Sequence, residues 1–459
     1  MNIISSVNLK NFRGFRNSGK IRLAPLTFLV GPNSSGKSTI ADSILLTSQS
    51  MSGNLIWSTP NWIGGLVDLG SYEDTVYGHK ITNSISMEFG LAVDPRGGYY
   101  RSFAYTKPVE INLQFTMKSQ RGSLFGKVSS VAISDSISGA QCTIVIQATQ
   151  LLIEIEGRKI PVPNSDFGLD HTIYMAGNVI RKDVKSNWRT YQKSKAGYNR
   201  LLEALISPVI PFFLSRVERV SSARSGPKRW FAKDNLVGSG EMQSGLLNDA
   251  YTMNLEPAPH VKIRSRRLFA PKEPVSKYLD ELGIASTLTR EDLSAYHTAL
   301  KVTDNVTNVR SNLADVGFGA SQAIPVIRGC VSENDSPLII EQPEIHLHPK
   351  AQGELARLIC MTSKTRQVIV ETHSEHMINR ARILVADGKI SSTDVAIVYV
   401  DRIRSGSTVI EIGIDENGDF TREWPEGFFD ERYRDSMTLL ELKSREGRVV
   451  ASPRKSPKK

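Results

Sequence analysis

Along the first 30 residues, apolar and polar positions alternate around Val7 and Leu9. Leu26-Thr-Phe-Leu-Val30 then forms a short apolar run ending at Gly31. Both patterns predict strands, because successive strand side chains point to opposite faces. A helix is predicted from Lys37 to about Gln49. The segments around Ile85/Met87/Phe89, Ile111/Leu113/Phe115, Thr143–Ile146 and Leu151–Ile155 are alternating or β-branched, with Gly/Ser/Pro-rich connections, and predict further strands. From about 171 to 310 the chain becomes richer in Lys and Arg and more helical, as in Ala196–Ile206 and Val275–Leu282, with prolines marking breaks. Beyond 311 the order is helix near Ser321–Arg328, strand Leu338–Ile340, helix Pro349–Thr362, strand Val368–Val370, helix Glu375–Ala386 and strand Val395–Val400. That alternation predicts an α/β fold with a parallel sheet and crossover helices.

Composition narrows the class. A chain of 459 residues is expected to divide into two or three lobes, and 40% hydrophobic with 23% charged residues describes a globular protein. The three cysteines, Cys142, Cys330 and Cys360, include no CxxC pair, which argues against a disulfide framework and for a cytoplasmic setting. No apolar run approaches the roughly 20 residues of a membrane helix, and no signal peptide is evident. The net charge of +10 is compatible with a nucleic-acid partner, although Arg454, Lys455, Lys458 and Lys459 in the tail contribute part of it.

Four motifs carry chemistry. The first, Gly31-Pro32-Asn33-Ser34-Ser35-Gly36-Lys37-Ser38-Thr39, fits GxxxxGK[ST], follows an apolar strand and opens a helix. Its backbone N–H groups and helix N-terminus suit a phosphate, Lys37 the β- and γ-phosphates, and Ser38 a Mg²⁺ ion. The second, Leu338-Ile-Ile-Glu341-Gln342-Pro343-Glu344-Ile-His346-Leu-His348, is an apolar strand ending in a carboxylate, as a Walker B element requires. The third, Asp315-Val-Gly317-Phe-Gly319-Ala-Ser321-Gln322, places small residues before a helix, as an anion site or simply a glycine-rich loop. The fourth, Val368-Ile-Val-Glu-Thr-His373-Ser, is a strand followed by a histidine.

In this order the four elements resemble the ATP-binding-cassette (ABC) ATPases, in the branch containing SMC-type proteins, RecF and the overcoming-lysogenisation-defect (OLD) ATPases. Leu9-Lys-Asn-Phe12-Arg13-Gly-Phe15 looks like that branch's first strand. The Glu-x-Pro-Glu-x-x-Leu-His-Pro and Thr-His-Ser runs, with Trp424-Pro-Glu-Gly427-Phe428-Phe429, look like its stand-alone OLD-like members. The resemblance implies an ABC-type P-loop ATPase head with an antiparallel β subdomain and an inserted helical subdomain. The expected division is 1–170 (first ATPase lobe), 171–310 (basic, mostly helical insertion), 311–440 (second lobe) and 441–459 (basic disordered tail). It also implies that Gly31–Thr39, Glu341 and His373 bind ATP, with Mg²⁺ on Ser38 and Glu341. Asp315, Gly317, Gly319, Ser321 and Gln322 would form a signature that closes on the nucleotide of a second subunit, in a homodimer or higher even oligomer.

One departure concerns turnover. Many ABC ATPases have Asp-Glu where this chain has Glu341-Gln342, and an amide can orient water but cannot accept its proton. Either Glu344 takes that role or hydrolysis is slow and the ATP-bound clamp persists. His346, His348, His373 and His376 with Glu341 and Glu344 also admit a separate dinuclear metal site.

Between Arg181 and Arg229 basic residues dominate, including Arg181, Lys182, Lys185, Arg189, Lys193, Lys195, Arg200, Arg219 and Arg224, with Trp188, Tyr191, Tyr198 and Trp230 interleaved. Such a stretch suits DNA through phosphate contacts and base stacking, or equally a solvated face or an acidic protein partner. The functional expectation is an ATP switch that senses or grips nucleic acid, or a phage trigger, and controls a separate nuclease or toxin in anti-phage defence. A RecF-like repair clamp without an effector is the alternative. A transporter subunit is disfavoured because no Leu-Ser-Gly-Gly-Gln run is present. Too few residues follow His373 for an additional nuclease domain of about 100 residues, so no intrinsic nuclease is expected.

Overall fold

The structure, a computed structural model, describes residues 2–51, 59–93, 109–136, 139–147, 150–155, 157–163, 214–224, 226–232, 275–294, 296–332, 334–425 and 435–443. The chain opens with a hairpin of β1 (Ile3–Phe12) and β2 (Phe15–Arg22), then passes through β3 (Leu26–Val30) into α1 (Lys37–Ser50). There follow β4 (Ile85–Val93), β5 (Val109–Lys118), β6 (Lys127–Asp135), β7 (Gln141–Ile146), β8 (Gln150–Ile155) and β9 (Arg158–Pro163). Next come β10 (Glu218–Val220), β11 (Phe231–Ala232), α2 (Val275–Glu281), β12 (Thr287–Asp292), β13 (His297–Thr303) and β14 (Arg310–Asn312). The last part holds α3 (Phe318–Val331), β15 (Leu338–Glu341), α4 (Pro349–Thr362), β16 (Val368–Glu371), α5 (Glu375–Ala386), β17 (Val395–Ile403) and β18 (Gly406–Ile412).

Among the described residues the strands form three sheets. The first is an antiparallel sheet in the order β2-β1-β4-β5-β6-β7-β8-β9. The second, in the order β10-β15-β16-β3-β17-β18, is parallel except for its last pair. The third joins β11, β13 and β12, with β14 on β13. The fold is therefore α/β, a mostly parallel sheet with crossover helices joined to an antiparallel β subdomain.

The parallel sheet divides two hydrophobic cores. On β3, Leu29 joins the core shared with α1 and the antiparallel sheet, whereas Leu26, Phe28 and Val30 join the core under α3, α4 and α5. Ile369 opposes Val368 and Val370 in the same manner, as Ile339 opposes Leu338 and Ile340. Burial on both faces is why these strands read as continuous apolar runs. Each fully buried side chain of this size contributes about 1.5–3 kcal/mol. The three cysteines are buried among apolar groups, which pushes each thiol up to about 12.

Within 171–310 the described residues hold strands β10 to β13, the start of β14 and helix α2, and most of the expected helical insertion lies outside them. Ala196–Ile206 lies outside the described residues. Residues 435–443 are helical, so the last segment's first residues, 441–443, are not an irregular tail.

Candidate nucleotide site

The loop after β3 is shaped by close backbone packing. Gly31 has φ of 137°, and a Cβ there would lie 2.1 Å from the Val400 carbonyl oxygen, so only glycine fits beside β17. Gly36, also left-handed, caps α1, and the Ser407 hydroxyl donates to the Ser35 carbonyl at 2.6 Å. Lys37 folds back across the loop, its Nζ donating to the Gly31 and Pro32 carbonyls at 3.0 and 2.7 Å. Burial lowers the Lys37 pKa, against the opposing charge of Glu371.

This loop forms one wall of a cavity of about 860 Å³, the size of a small-ligand cleft. Gln342, Glu371 and His373 line the strand-end side, and Arg13, Tyr77 and Arg402 line the outer side. The Ser38 hydroxyl donates to Glu371 Oε1 at 3.1 Å. Glu371 Oε2, Glu344 Oε2 and His373 Nε2 are buried without a hydrogen-bond partner. Buried polar atoms are normally paired, so unpaired oxygens and an imidazole nitrogen beside a phosphate loop fit a polar ligand and a hard cation. Burial raises the pKa of both carboxyls. Burial and the Lys37 charge lower that of His373, leaving its imidazole neutral at pH 7.

Glu341 Oε1 accepts from Arg219 Nε at 2.7 Å, and its Oε2 accepts from the Ser222 N–H and hydroxyl at 3.1 and 3.3 Å. The carboxylate touching the Ser38 hydroxyl is Glu371. Gln342 has φ of 43° and donates its N–H to the Glu371 carbonyl at 2.7 Å, which holds its side chain at the cavity wall. Glu344 accepts from the His373 N–H at 2.8 Å.

The signature segment divides. Gly317 and Phe318 are exposed at the start of α3, and Gly319 approaches the Walker B turn so closely that a Cβ would lie 2.8 Å from the His346 carbonyl oxygen. Asp315 is exposed and paired with Arg229 at 2.5 Å. Ser321 and Gln322 are 0% and 3% exposed, and the Ser321 hydroxyl donates to the Phe318 carbonyl. Both were expected to face a second subunit; the structure turns them inward, because the first turn of α3 sets their side chains toward the core.

Arg219 and Arg224 belong to the basic stretch but also point inward. Arg224 donates to the Gln322, Glu341 and Gln342 carbonyls at 3.2, 2.6 and 2.8 Å, tying the signature helix to the Walker B strand. Burial brings its pKa down to about 10, against the charges of Glu344 and Glu341. Arg181, Lys182, Lys185, Arg189, Lys193, Lys195 and Arg200 lie outside the described residues. His346 packs against Phe318 in a tilted arrangement with ring centroids 5.4 Å apart, and His348 caps α4. Among the described residues no group of three or more His, Cys, Asp or Glu is arranged to hold a metal alone. No helix among them is long and apolar enough to cross a membrane.

A parallel sheet with a phosphate loop after β3 and acids at the neighbouring strand ends defines a P-loop ATPase domain. A family model described as AAA ATPase domain matches residues 1–120 and 250–378, more than half of the chain, and the chain belongs to that family. Residues 390–439 match a family of unknown function, DUF3696. No curated protein matches. Among solved structures the chain is similar to an Smc head bound to the C-winged helix domain of ScpA, at 14% identity and a TM-score of 0.42, covering 89% of this chain and 98% of that one. It is also similar to the SMC head domain from Thermotoga maritima, at 12% identity and 0.38, covering 90% and 99%. A third is the Pyrococcus furiosus Smc head domain bound to the C-terminal domain of ScpA, at 13% and 0.39, covering 97% and 100%.

Proposed function

We propose that the protein is an ATP-driven switch that binds and slowly hydrolyses ATP, and dimerises around it. In this reading it also grips nucleic acid or another phage-derived trigger and controls a separate nuclease or toxin. The observation that carries the ATP reading is the convergence of Lys37, Ser38 and the unpaired atoms of Glu371 and His373 on one cavity. Lys37 would leave the loop carbonyls for the phosphates, the neutral His373 would contact the terminal phosphate, and Gln342 would orient water. Mg²⁺, when bound, would neutralise charge between the phosphates, held by Ser38 and a strand-end carboxylate. The amide at position 342 supports slow turnover, because it cannot take a proton from water.

The exposed Gly317–Gly319 turn supports closure by a second copy, in place of the buried Ser321 and Gln322. DNA contact rests on the charge of the stretch containing Arg181 to Arg200. The OLD-like motifs support the effector and defence role, and the protein by itself is expected to leave DNA uncut.

Calorimetric titration with ATP tests the central reading. Wild-type protein takes up ATP, and Lys37→Ala removes that uptake. No uptake by the wild type overturns the proposal. Light scattering with and without ATP tests the dimer, and salt-sensitive DNA binding lost on charge reversal at Arg189, Lys193 and Arg200 tests the nucleic-acid reading.

A further inference from the structure

We infer that a second anion site, separate from the nucleotide cavity, lies in the cleft between the β1–β2 hairpin and the β17–β18 hairpin. Its ligand is a phosphate group, carried by a nucleic-acid strand or free in solution. None of the four chemical motifs contributes to this cleft, and the assignment does not depend on the nucleotide reading above.

The cleft has a volume of about 710 Å³. Among the described residues its walls hold two cations, Lys10 and Arg16, with three asparagine carboxamides and three serine or threonine hydroxyls; no carboxylate and no apolar side chain lines it.

Local pairing builds the walls. Lys10 on β1 is in register with Asn17 on β2, past an irregularity after Asn8, so Lys10 and Arg16 come to the same end of the hairpin. Asn11 has φ of 53°, a left-handed conformation that asparagine tolerates. Its Nδ2 donates to the Ser84 carbonyl at 3.0 Å, which ties the Asn83 turn to the hairpin. From the other side, the Ser407 N–H donates to the Gly14 carbonyl at 2.8 Å and the Tyr77 hydroxyl to the Ser405 carbonyl at 2.9 Å. Ser407 lines both cavities, and its hydroxyl is spent on the Ser35 carbonyl, so this residue separates the cleft from the phosphate loop.

Charge sets the ligand's sign. Lys10 and Arg16 are exposed and form no ion pair among the described residues. Nearby cations differ, since Arg22 pairs with Glu411 and Arg13 with Asp42. Asp401, in register with Thr408, accepts from the Arg402 N–H and does not line the cleft. Two uncompensated cations beside a recess without an acid concentrate anions there.

Donor geometry sets the ligand's class. Asn17 Oδ1 accepts from the Gly19 N–H at 3.2 Å, which leaves its Nδ2 to donate. Ammonium and guanidinium are donors only, and carboxamides and hydroxyls add further donors. They converge from two hairpins, so a tetrahedral anion with acceptor oxygens on several sides matches them better than a planar carboxylate. Charge-assisted bonds to phosphate are the strongest such a site can make.

The experiment uses the full chain and the double variant Lys10→Gln with Arg16→Gln, whose unpaired, exposed side chains make an unchanged melting temperature the expected control. Arg22→Gln, a cation of the same strand outside the cleft, reports the general charge effect. Two probes are used: fluorescence anisotropy of a labelled single-stranded DNA of about 15 nucleotides, and calorimetry with inorganic pyrophosphate. If the cleft holds strand phosphates, the double variant binds the DNA about 10-fold or more weakly, and its log–log salt slope is shallower by about 1.4, the equivalent of two single-strand phosphate contacts. If the cleft holds a free phosphate, DNA affinity is unchanged and the double variant takes up one equivalent of pyrophosphate fewer than wild type. The assignment is overturned if the double variant matches wild type with both probes, if Arg22→Gln loses as much as the double variant, or if wild type binds neither probe.

Discussion

The Glu344 carboxylate accepts a hydrogen bond from the His373 backbone N–H at 2.8 Å, so the turn after β15 and the turn after β16 are joined at the cavity. Glu344 thus positions the histidine, while Gln342 occupies the cavity wall with an amide in place of an acid. Gln342→Glu is expected to raise ATP turnover by about 10-fold or more, because a positioned general base contributes roughly 10²–10⁴-fold. The check is steady-state phosphate release at saturating ATP. Unchanged turnover in Gln342→Glu together with abolished turnover in Glu344→Gln would move the water-polarising role to Glu344 and end the slow-clamp reading.

Asp42 titrates with a sign opposite to that of an ordinary surface acid. It is 5% exposed on α1, and burial, outweighing its ion pair with Arg13, takes its pKa from 3.8 to about 6. The folded state therefore holds this proton more tightly than the unfolded chain does. The resulting stabilisation is full below about pH 4 and is lost as pH rises through about 6, worth about 3 kcal/mol across that window. Asp42→Asn, which mimics the neutral acid, should gain thermal stability relative to wild type on moving from pH 4 to pH 7. A melting-temperature difference independent of pH would refute this.

A buried ion pair fastens β10 to the parallel sheet. Arg366 is 1% exposed, donates to Glu218 Oε2 at 2.8 Å and to the Ser336 carbonyl at 2.8 Å, while Glu218 Oε1 accepts from Asn334 at 3.0 Å. Glu218→Ala strands the guanidinium charge in the interior and is expected to cost about 3–5 kcal/mol. Replacing both residues, as Glu218→Leu with Arg366→Met, is expected to recover most of that loss. Denaturant unfolding of the single and double variants measures both quantities, and a loss under about 1 kcal/mol for Glu218→Ala would show that the pair adds little.

Much of the head was readable before folding was considered. The phosphate loop is local in sequence, since its glycines and Lys37 act within a few residues of one another, and a strand buried on both faces announces itself as an unbroken apolar run. The alternation from Phe318 onward was likewise legible, with α4 and α5 bounded as their start signals and periodicity predict. The Asp415–Gly418 segment closes as a turn, with the Asp415 carboxylate accepting from the Asn417 and Asp419 N–H groups.

Side-chain direction was not legible where it depends on which strands become neighbours. Motif order singles out Ser38 and Glu341, whereas the contact of Glu371 with the Ser38 hydroxyl follows from the pairing of β16 with β3, which no motif announces. Nothing in the spacing of Arg219 and Arg224 separates them from the surrounding basic residues. Only the edge pairing of β10 on β15 turns them toward the carboxylate and carbonyls they neutralise. Ser321 and Gln322 are polar in sequence, yet the pitch of α3 buries both. Local chemistry thus set the loop that would hold phosphate, while strand pairing across more than 300 residues chose the acid beside it, because contact between distant segments has no periodicity to read.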